Sequence, residues 1–284
     1  MEEIVGKSYS GERSLYGAKD LILEDVTFLE GESPLKESSH IELQRCSFSW
    51  KYPLWYSQNL KVKECRFYNE SHAGIWYTRD SSFEKCSFEE GKNFRHSHNI
   101  QVSNSAFLKA SETFWWCEKI QVKSSSFIGD YLGLGTSDSS FDGIKVNGNY
   151  PFDGSRNIHI KNSALHSKDA FWNSQHILIE DSVIDGEYFG WNSKNVTLVR
   201  TKIVSHQGFC YMDNVTLIDC EMVDSDLTFE YVSCAKVHLL KGELDLKNPI
   251  SGTFIAPSFK AVLLNDERVE KEHLVFKKIG DLNG

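Results

Sequence analysis

No run of apolar residues in the chain approaches the length of a membrane-spanning helix, so no membrane partner is expected. The opening, MEEIVGKSYSGERSLYG, has neither a basic n-region nor an apolar h-region, and a cytoplasmic protein without a secretory leader is the expectation. The seven cysteines are odd in number and include no Cys-x-x-Cys pair, which fits reduced thiols better than a disulfide framework. Basic residues are in deficit, 31 Lys and Arg against 40 Asp and Glu, for a net charge of −9. Binding a phosphate backbone needs a basic stripe, so nucleic acid is excluded as the main partner. Helical 3.6-residue periodicity is missing as well.

A repeat is present in its place. When the first inward residue of each strand-like run is position 0, zeros fall at Leu21, Ile41, Leu60, Ser81, Ile100, Ile120, Ser139, Ile158, Ile177, Val196, Val215 and Val237, at steps of 19 to 22 residues. Position +2 is apolar in every copy, from Leu23 to Leu239. Position +7 is Phe28, Phe48, Phe67, Phe88, Phe107 and Phe127, then Val146, Leu165, Ile184, Ile203, Met222 and Leu244. Units this short cannot each close a core, whereas stacking them buries one continuous core. A β-sandwich or propeller would need tight hairpin signals or longer blades. The predicted fold is all-β: a right-handed, single-stranded parallel β-helix of about twelve coils. One domain is predicted over 1–284, with an N-terminal cap at 1–20, repeated coils at 21–246, and an irregular last coil with a closing segment at 247–284.

Two columns fit the interior and the turns of such a solenoid. Position +5 holds Cys46, Cys65, Cys86 and Cys220 among small Ser and Thr residues, which predicts buried, inert thiols. Zinc wants four convergent ligands and this column is in line; His96 and His98 are a strand-spaced pair without a third ligand. No metal or cofactor is expected. Position −1 holds Asn59, Asn99, Asn157, Asn195 and Asn214 with Asp20, Asp80 and Asp138, the residues of a turn ladder.

The stacked N-[IV]-x-[VIL]-x-x-[SC]-x-[F/aliphatic] units resemble the right-handed parallel β-helices of the pectin-lyase-like superfamily. The segments GESPLKES, WKYPLWYS, GIWYT, KDAFWNS, GEYFGWNSKN, HQGFCYM and FEY resemble, more specifically and over roughly residues 9 to 265, a bacterial family known as domain-of-unknown-function family 3737. That family implies the fold and no established activity. The superfamily contains polysaccharide lyases, hydrolases and epimerases. Their Asn-Thr-Asp, Asp-Asp, Gly-His-Gly and Arg-Ile-Lys sets and their calcium-binding Asp cluster are missing here. Fold analogy alone does not assign a reaction.

The tryptophans supply the candidate site. Trp172 and Trp191, each followed by Asn-Ser, lie 19 residues apart, and five of the seven tryptophans share position −5: Trp55, Trp76, Trp115, Trp172 and Trp191. Position −6 carries no charge, whereas position −5 includes Lys36, Arg95 and Asp153, so the tryptophan column should face outward. Arg95 is placed to be sandwiched between Trp76 and Trp115 as a cation–π spacer. Position −8 adds Glu112, Asp169, Tyr188 and Gln207, and position −9 adds Lys168, Glu187 and His206. Flat rings beside carboxylates, amides and lysines suit a sugar chain, whose ring faces stack and whose hydroxyls hydrogen-bond. The expected ligand-binding residues are therefore Trp76, Arg95, Glu112, Trp115, Lys168, Trp172, Tyr188, Trp191, Gln207 and Tyr211. Asp153, Asp169 and Glu187, on three successive coils, are the candidate acid/base groups, since coil spacing brackets glycosidase carboxylate separations. The expected partner is an oligosaccharide or other small molecule, bound or processed along the ladder. The alternative is a non-catalytic scaffold whose aromatic column docks another protein or a second copy of this chain.

Overall fold

The period-2 pattern forms strands of six residues whose residues at 0 and +2 point inward and whose intervening residues face out. Leu21 and Leu23, Ile41 and Leu43, and Ile100 and Val102 are all buried in this way. The structure, a computed structural model, describes residues 1–280. The chain divides into two compact units, Met1–Asn147 and Gly148–Gly284. In each, strands one coil apart pair in parallel and in register, for example Leu21 with Ile41 in the first unit and Ile177 with Val196 in the second. The fold is the right-handed parallel β-helix of pectin-lyase-like proteins.

There are about 15 coils among the described residues, where the sequence pattern led us to expect about twelve. The difference lies at the ends. Residues 1–20, expected to be a cap, carry the strand Glu2–Val5, which pairs with Leu21–Glu24, and a short strand Ser8–Tyr9, which pairs with Thr27–Phe28. The expected closing segment contributes Gly252–Ala256 and Leu274–Lys278, which pair with one another in parallel. Residues 281–284 of that segment lie outside the described residues. End coils have a neighbour on one side only, so they need fewer inward apolar residues and escape a search for apolar columns. In the first strand only Ile4 is buried. Helix is limited, among the described residues, to the 3-10 turn Lys271–His273 and 3-10 backbone at residues 279–280.

The core of the first unit is a pile of phenylalanines at +7. Phe28, Phe48, Phe67, Phe88, Phe107 and Phe127 stack at centroid separations of 4.8, 4.9, 4.7, 4.3 and 4.7 Å. In the second unit that column is aliphatic, and rings stack at position −6, where Phe152 and Phe171 lie 5.0 Å apart, as Phe94 and Phe114 do in the first unit.

Each coil turns its corners through left-handed backbone. Positions −8, −4, −1 and +4 have φ near +55° in successive coils, as in Lys92, His96, Asn99 and Asn104. After the −4 and +4 corners the residue is, in most coils, small and carries a hydroxyl or thiol that bonds the carbonyl two residues back. At +5, Ser105 donates to Ser103 at 2.8 Å, and Ser163 to Lys161 at 2.6 Å. Cys46, Cys65, Cys86 and Cys220 occupy this same place, which is why cysteine recurs there. At −3 the buried Ser57 and Thr78 reach the preceding coil, donating to the carbonyls of Leu35 and Leu54 at 2.8 Å each.

All four predicted thiols are buried, as are Cys117 and Cys210; Cys234 is exposed. Burial pushes the thiols of Cys86, Cys117 and Cys210 up to about 12, leaving them protonated and unreactive. Native protein treated with a maleimide should therefore take up one label quickly, at Cys234, and seven only after denaturation, as counted by mass spectrometry. Rapid native labelling at Cys46, Cys65 or Cys86 would show that the assigned inside is wrong.

Candidate functional site

Position −6 faces the core from Leu35 to Phe209: Leu35, Leu54, Ile75, Phe94, Phe114, Phe152, Phe171 and Phe209 are fully buried. The five tryptophans at −5 lie on the other side and are half-buried. The column does not stay outside to its end, because Cys210 and Val232 are buried. From Trp191 the aromatic row passes instead to Tyr211 and then Tyr231, at 5.4 and 5.3 Å.

The tryptophans do more than line a surface. Each donates its indole N–H to the backbone carbonyl at position −8 of the following coil. Trp76 reaches Lys92 at 2.5 Å, Trp115 reaches Tyr131 at 2.6 Å, Trp172 reaches Tyr188 at 3.2 Å and Trp191 reaches Gln207 at 2.7 Å; Trp55 bonds Ala73 in the same way. The cause is the left-handed corner at −8. The carbonyls on either side of it accept from the neighbouring coil, as Glu187 does from Asp169 N at 2.9 Å and Ala170 from Gly190 N at 2.8 Å. The corner carbonyl between them points away and is left for the indole. Tryptophan at −5 is thus a coil-to-coil tie, a role that reading the column as exposed surface alone does not contain.

In the first unit the column is a closed stack. Trp55 and Trp76 lie parallel at 5.1 Å, and the Arg95 guanidinium sits over Trp76 at 4.9 Å and over Trp115 at 4.3 Å, as expected of a cation–π spacer. Glu112 pairs with Arg95 and Lys92. Beside it stands a second row that the sequence reading passed over, at position −4. Tyr56, Tyr77, His96 and Trp116 stack at 4.7, 5.2 and 5.1 Å with interplanar angles of 5, 8 and 16°. These rings are more exposed than the −5 row, at 48% for Tyr56, 40% for Tyr77 and 49% for Trp116. The signal was present as four consecutive aromatic or imidazole residues at one repeat position. In both rows the ring faces are taken by neighbouring rings, so edges meet solvent and stacking by a sugar is limited to the row ends.

The second unit is arranged differently. Trp172 and Trp191 stack at 5.9 Å, but Tyr150 stands perpendicular to Trp172, and Tyr188 stands at 77° to Trp191. Lys168 lies over the Tyr188 ring at 5.4 Å and pairs with Glu187 at 2.7 Å, which holds its ammonium above the ordinary value. Asp169 is only 4% exposed. Burial raises its carboxyl above the ordinary value although the Tyr150 hydroxyl bonds it and Lys168 is near. The structure thus gathers Lys168, Asp169, Glu187, Tyr188, Trp172 and Trp191. Gln207 holds the indole of Trp191, and Tyr211 is exposed at the next step of the row. Asp153 belongs to another row, an amide ladder in which Asn173 donates to it at 3.1 Å and Asn192 donates to Asn173 at 2.8 Å. His206 is held by Asp226 at 2.8 Å. The row ends under the chain's last segment, where Arg268 lies 3.8 Å over the Tyr231 ring and Asp266 accepts from the Tyr231 hydroxyl at 2.8 Å.

Among the described residues no group of three or more His, Cys, Asp or Glu side chains converges as metal ligands. Among them, too, no helix is long and apolar enough to cross a membrane. Coil stacking with inward aromatic columns and corner ladders defines the class as a pectin-lyase-like parallel β-helix. The same fold occurs in a PL6 alginate lyase solved in complex with a trisaccharide, at TM-score 0.55 and 10% identity, over 98% of this chain and 82% of that one. Fainter similarity extends to PfbA, a surface adhesin of Streptococcus pneumoniae (TM-score 0.39, 12% identity, 84% of this chain and 71% of that one). It extends also to the A-module of the mannuronan C-5 epimerase AlgE4 of Azotobacter vinelandii (TM-score 0.33, 7% identity, 98% and 87%). No curated protein matches the sequence. The chain belongs to the family described as protein of unknown function, DUF3737, whose model matches residues 2–277.

Two measurements follow from this geometry. Trp191→Phe keeps a ring but removes the N–H, leaving the Gln207 carbonyl without its donor, and should lower stability by about 1 kcal/mol in urea unfolding. An unchanged midpoint would mean that the indole bond carries no structural load. Asp169 binds its proton more tightly in the folded chain than in the unfolded one. Its contribution to stability is complete below the ordinary Asp value and is lost as pH rises through the raised folded value. Asp169→Asn should accordingly be more stable than wild type at pH 7, with the advantage disappearing below about pH 4. A constant difference across that range would contradict the assigned shift.

Proposed function

We propose that the protein binds an oligosaccharide on the lateral face of its second unit, around Trp172, Tyr188 and Trp191. The observation that carries this reading is Asp169, a carboxyl only 4% exposed beside the Lys168–Glu187 ion pair and cross-oriented rings. A buried carboxyl with a raised pKa that the fold does not require is a mark of a functional site. Around it Lys168, Glu187 and the tyrosine hydroxyls supply both donors and acceptors for sugar hydroxyls. The alginate lyase of like fold was solved with a trisaccharide, which supports a β-helix surface as a seat for such a ligand.

The same group has the parts for acid–base chemistry. Asp169, its carboxyl raised above the ordinary value by burial, serves as the acid, and Glu187, ion-paired with Lys168 at 2.7 Å, is its partner carboxylate. Asp153 takes no part in this pair. Arg95, Glu112, Trp76 and Trp115 of the first unit form a closed stack and act in the fold. A second reading, docking of another protein, is favoured at one place: the exposed edge-on row of Tyr56, Tyr77, His96 and Trp116.

Calorimetric titration with neutral and uronate oligosaccharides of three to six units tests the proposal. At least one should bind saturably, and Tyr188→Ala should weaken it tenfold or more, equivalent to about 1.4 kcal/mol. Lys168→Met should weaken a uronate ligand more than a neutral one. Absence of binding by every oligosaccharide, together with a stable complex on light scattering, would favour the docking reading instead.

A further inference from the structure

The sheet face of the first unit carries a concavity lined by none of the −5 or −4 aromatic residues. His40, Asn59, Asp80 and Asn99 at position −1 and Glu42, Lys61, Ser82 and Gln101 at position +1 line one groove of about 450 Å³, to which Met1, Leu60 and Ser81 also contribute. Its origin is local. The strand Arg79–Glu84 has Ser81-Ser82 where its neighbours have Leu60-Lys61 and Ile100-Gln101. Ser81 turns inward and is consumed by the backbone, accepting from Leu60 N at 3.1 Å and donating to the Arg79 carbonyl at 2.7 Å. Ser82, on the outer face, is too short to fill the space between the long side chains of Lys61 and Gln101.

The lining has a definite chemistry. Glu42 is already neutralised by Lys61 at 2.7 Å, and Asp80 accepts from the Asn99 amide at 2.7 Å. What remains for a ligand is unused lone pairs on Asp80 and the donors and acceptors of three carboxamides, Asn59, Asn99 and Gln101. The Asp80 carboxylate, bonded by a neutral amide, disfavours an anion beside it. The ring in the lining is the His40 imidazole, 3.5 Å from the Asn59 amide. The volume falls within the few-hundred-Å³ range of small-molecule sites.

We propose that this groove is a binding site for a neutral, hydroxyl-rich ligand, one or two units of an uncharged oligosaccharide. It deepens the carbohydrate reading of the protein and shares no residue with the lateral face of the second unit. Hydroxyls donate and accept at once, which matches carboxamides beside a carboxylate, and discrimination here comes from hydrogen bonding alone.

The test uses the full chain, 15N-labelled, titrated with cellotriose, maltotriose or mannotriose, and with the anionic trimannuronate as contrast. At least one neutral trisaccharide should shift the side-chain NH2 signals of Asn59, Asn99 and Gln101 saturably, and trimannuronate should not. Ser82→Gln installs at +1 the residue that the next strand already carries at that position, so it fills the groove within a tolerated pattern. It should weaken the neutral ligand at least tenfold. Asn99→Ala, at a partly exposed position, provides a second variant with the same expected loss should the first disturb the spectrum. Shifts confined to Tyr188, Gln207 and their neighbours would overturn the groove and leave the lateral site standing. Shifts confined to the groove would do the reverse. No shift with any of these sugars, or unchanged affinity in both variants, overturns the groove outright.

Discussion

The left-handed corner is the constraint on which the rest depends. A coil of about twenty residues closes only if the chain turns sharply several times, and here it does so by placing single non-glycine residues at φ near +55°. That conformation costs an L-residue on the order of 1 kcal/mol. It also rotates one peptide carbonyl per corner out of line with the coil-to-coil ladder. An unpaired carbonyl at a half-buried corner is a further penalty, so side chains must reach it. The indoles at −5 and the hydroxyls at −3 answer that demand, whereas the hydroxyl or thiol at +5 accepts from the +5 backbone N–H of the preceding coil, as Ser105 does from Cys86 at 3.0 Å.

The tryptophan column then has a double character. Its N–H edge is committed to the Lys92, Tyr131, Tyr188 and Gln207 carbonyls, while the rest of the ring stays at the surface. Whether a ring face is open depends on what stands above and below. Arg95 and its neighbouring tryptophans fill one another's faces, and Tyr56, Tyr77, His96 and Trp116 do the same. Around Trp172 and Trp191 the tyrosines stand crosswise, and a buried carboxyl and an ion pair take the remaining positions. Surface rows built by one repeat rule thus differ in what they offer a ligand.

Much of the fold was legible in the sequence because a solenoid writes its inside and outside as columns. Phe28 to Phe127 at +7, the cysteines at +5, the charge-free −6 column and the Arg95 sandwich all lie where their repeat positions require. The terminal coils were not legible, since Glu2–Val5 and Leu274–Lys278 have one neighbour each and lack the apolar signature. The −4 row was written plainly but carries no burial contrast, because those rings are exposed.

The sequence by itself determined the architecture and which side of the coil each residue occupies, since period-2 alternation and a fixed repeat leave one way to bury the apolar set. Tertiary structure decided what the outward residues do. An indole N–H finds a particular carbonyl only after the corner has turned that carbonyl outward. Asp169 becomes a buried carboxyl, raised above its ordinary value by that burial, only when neighbouring coils close around it, and Ser82 becomes a groove only between two longer neighbours. Those properties belong to distances between coils, and a repeat in one dimension records position along the chain but not the orientation of a ring or the filling of a gap.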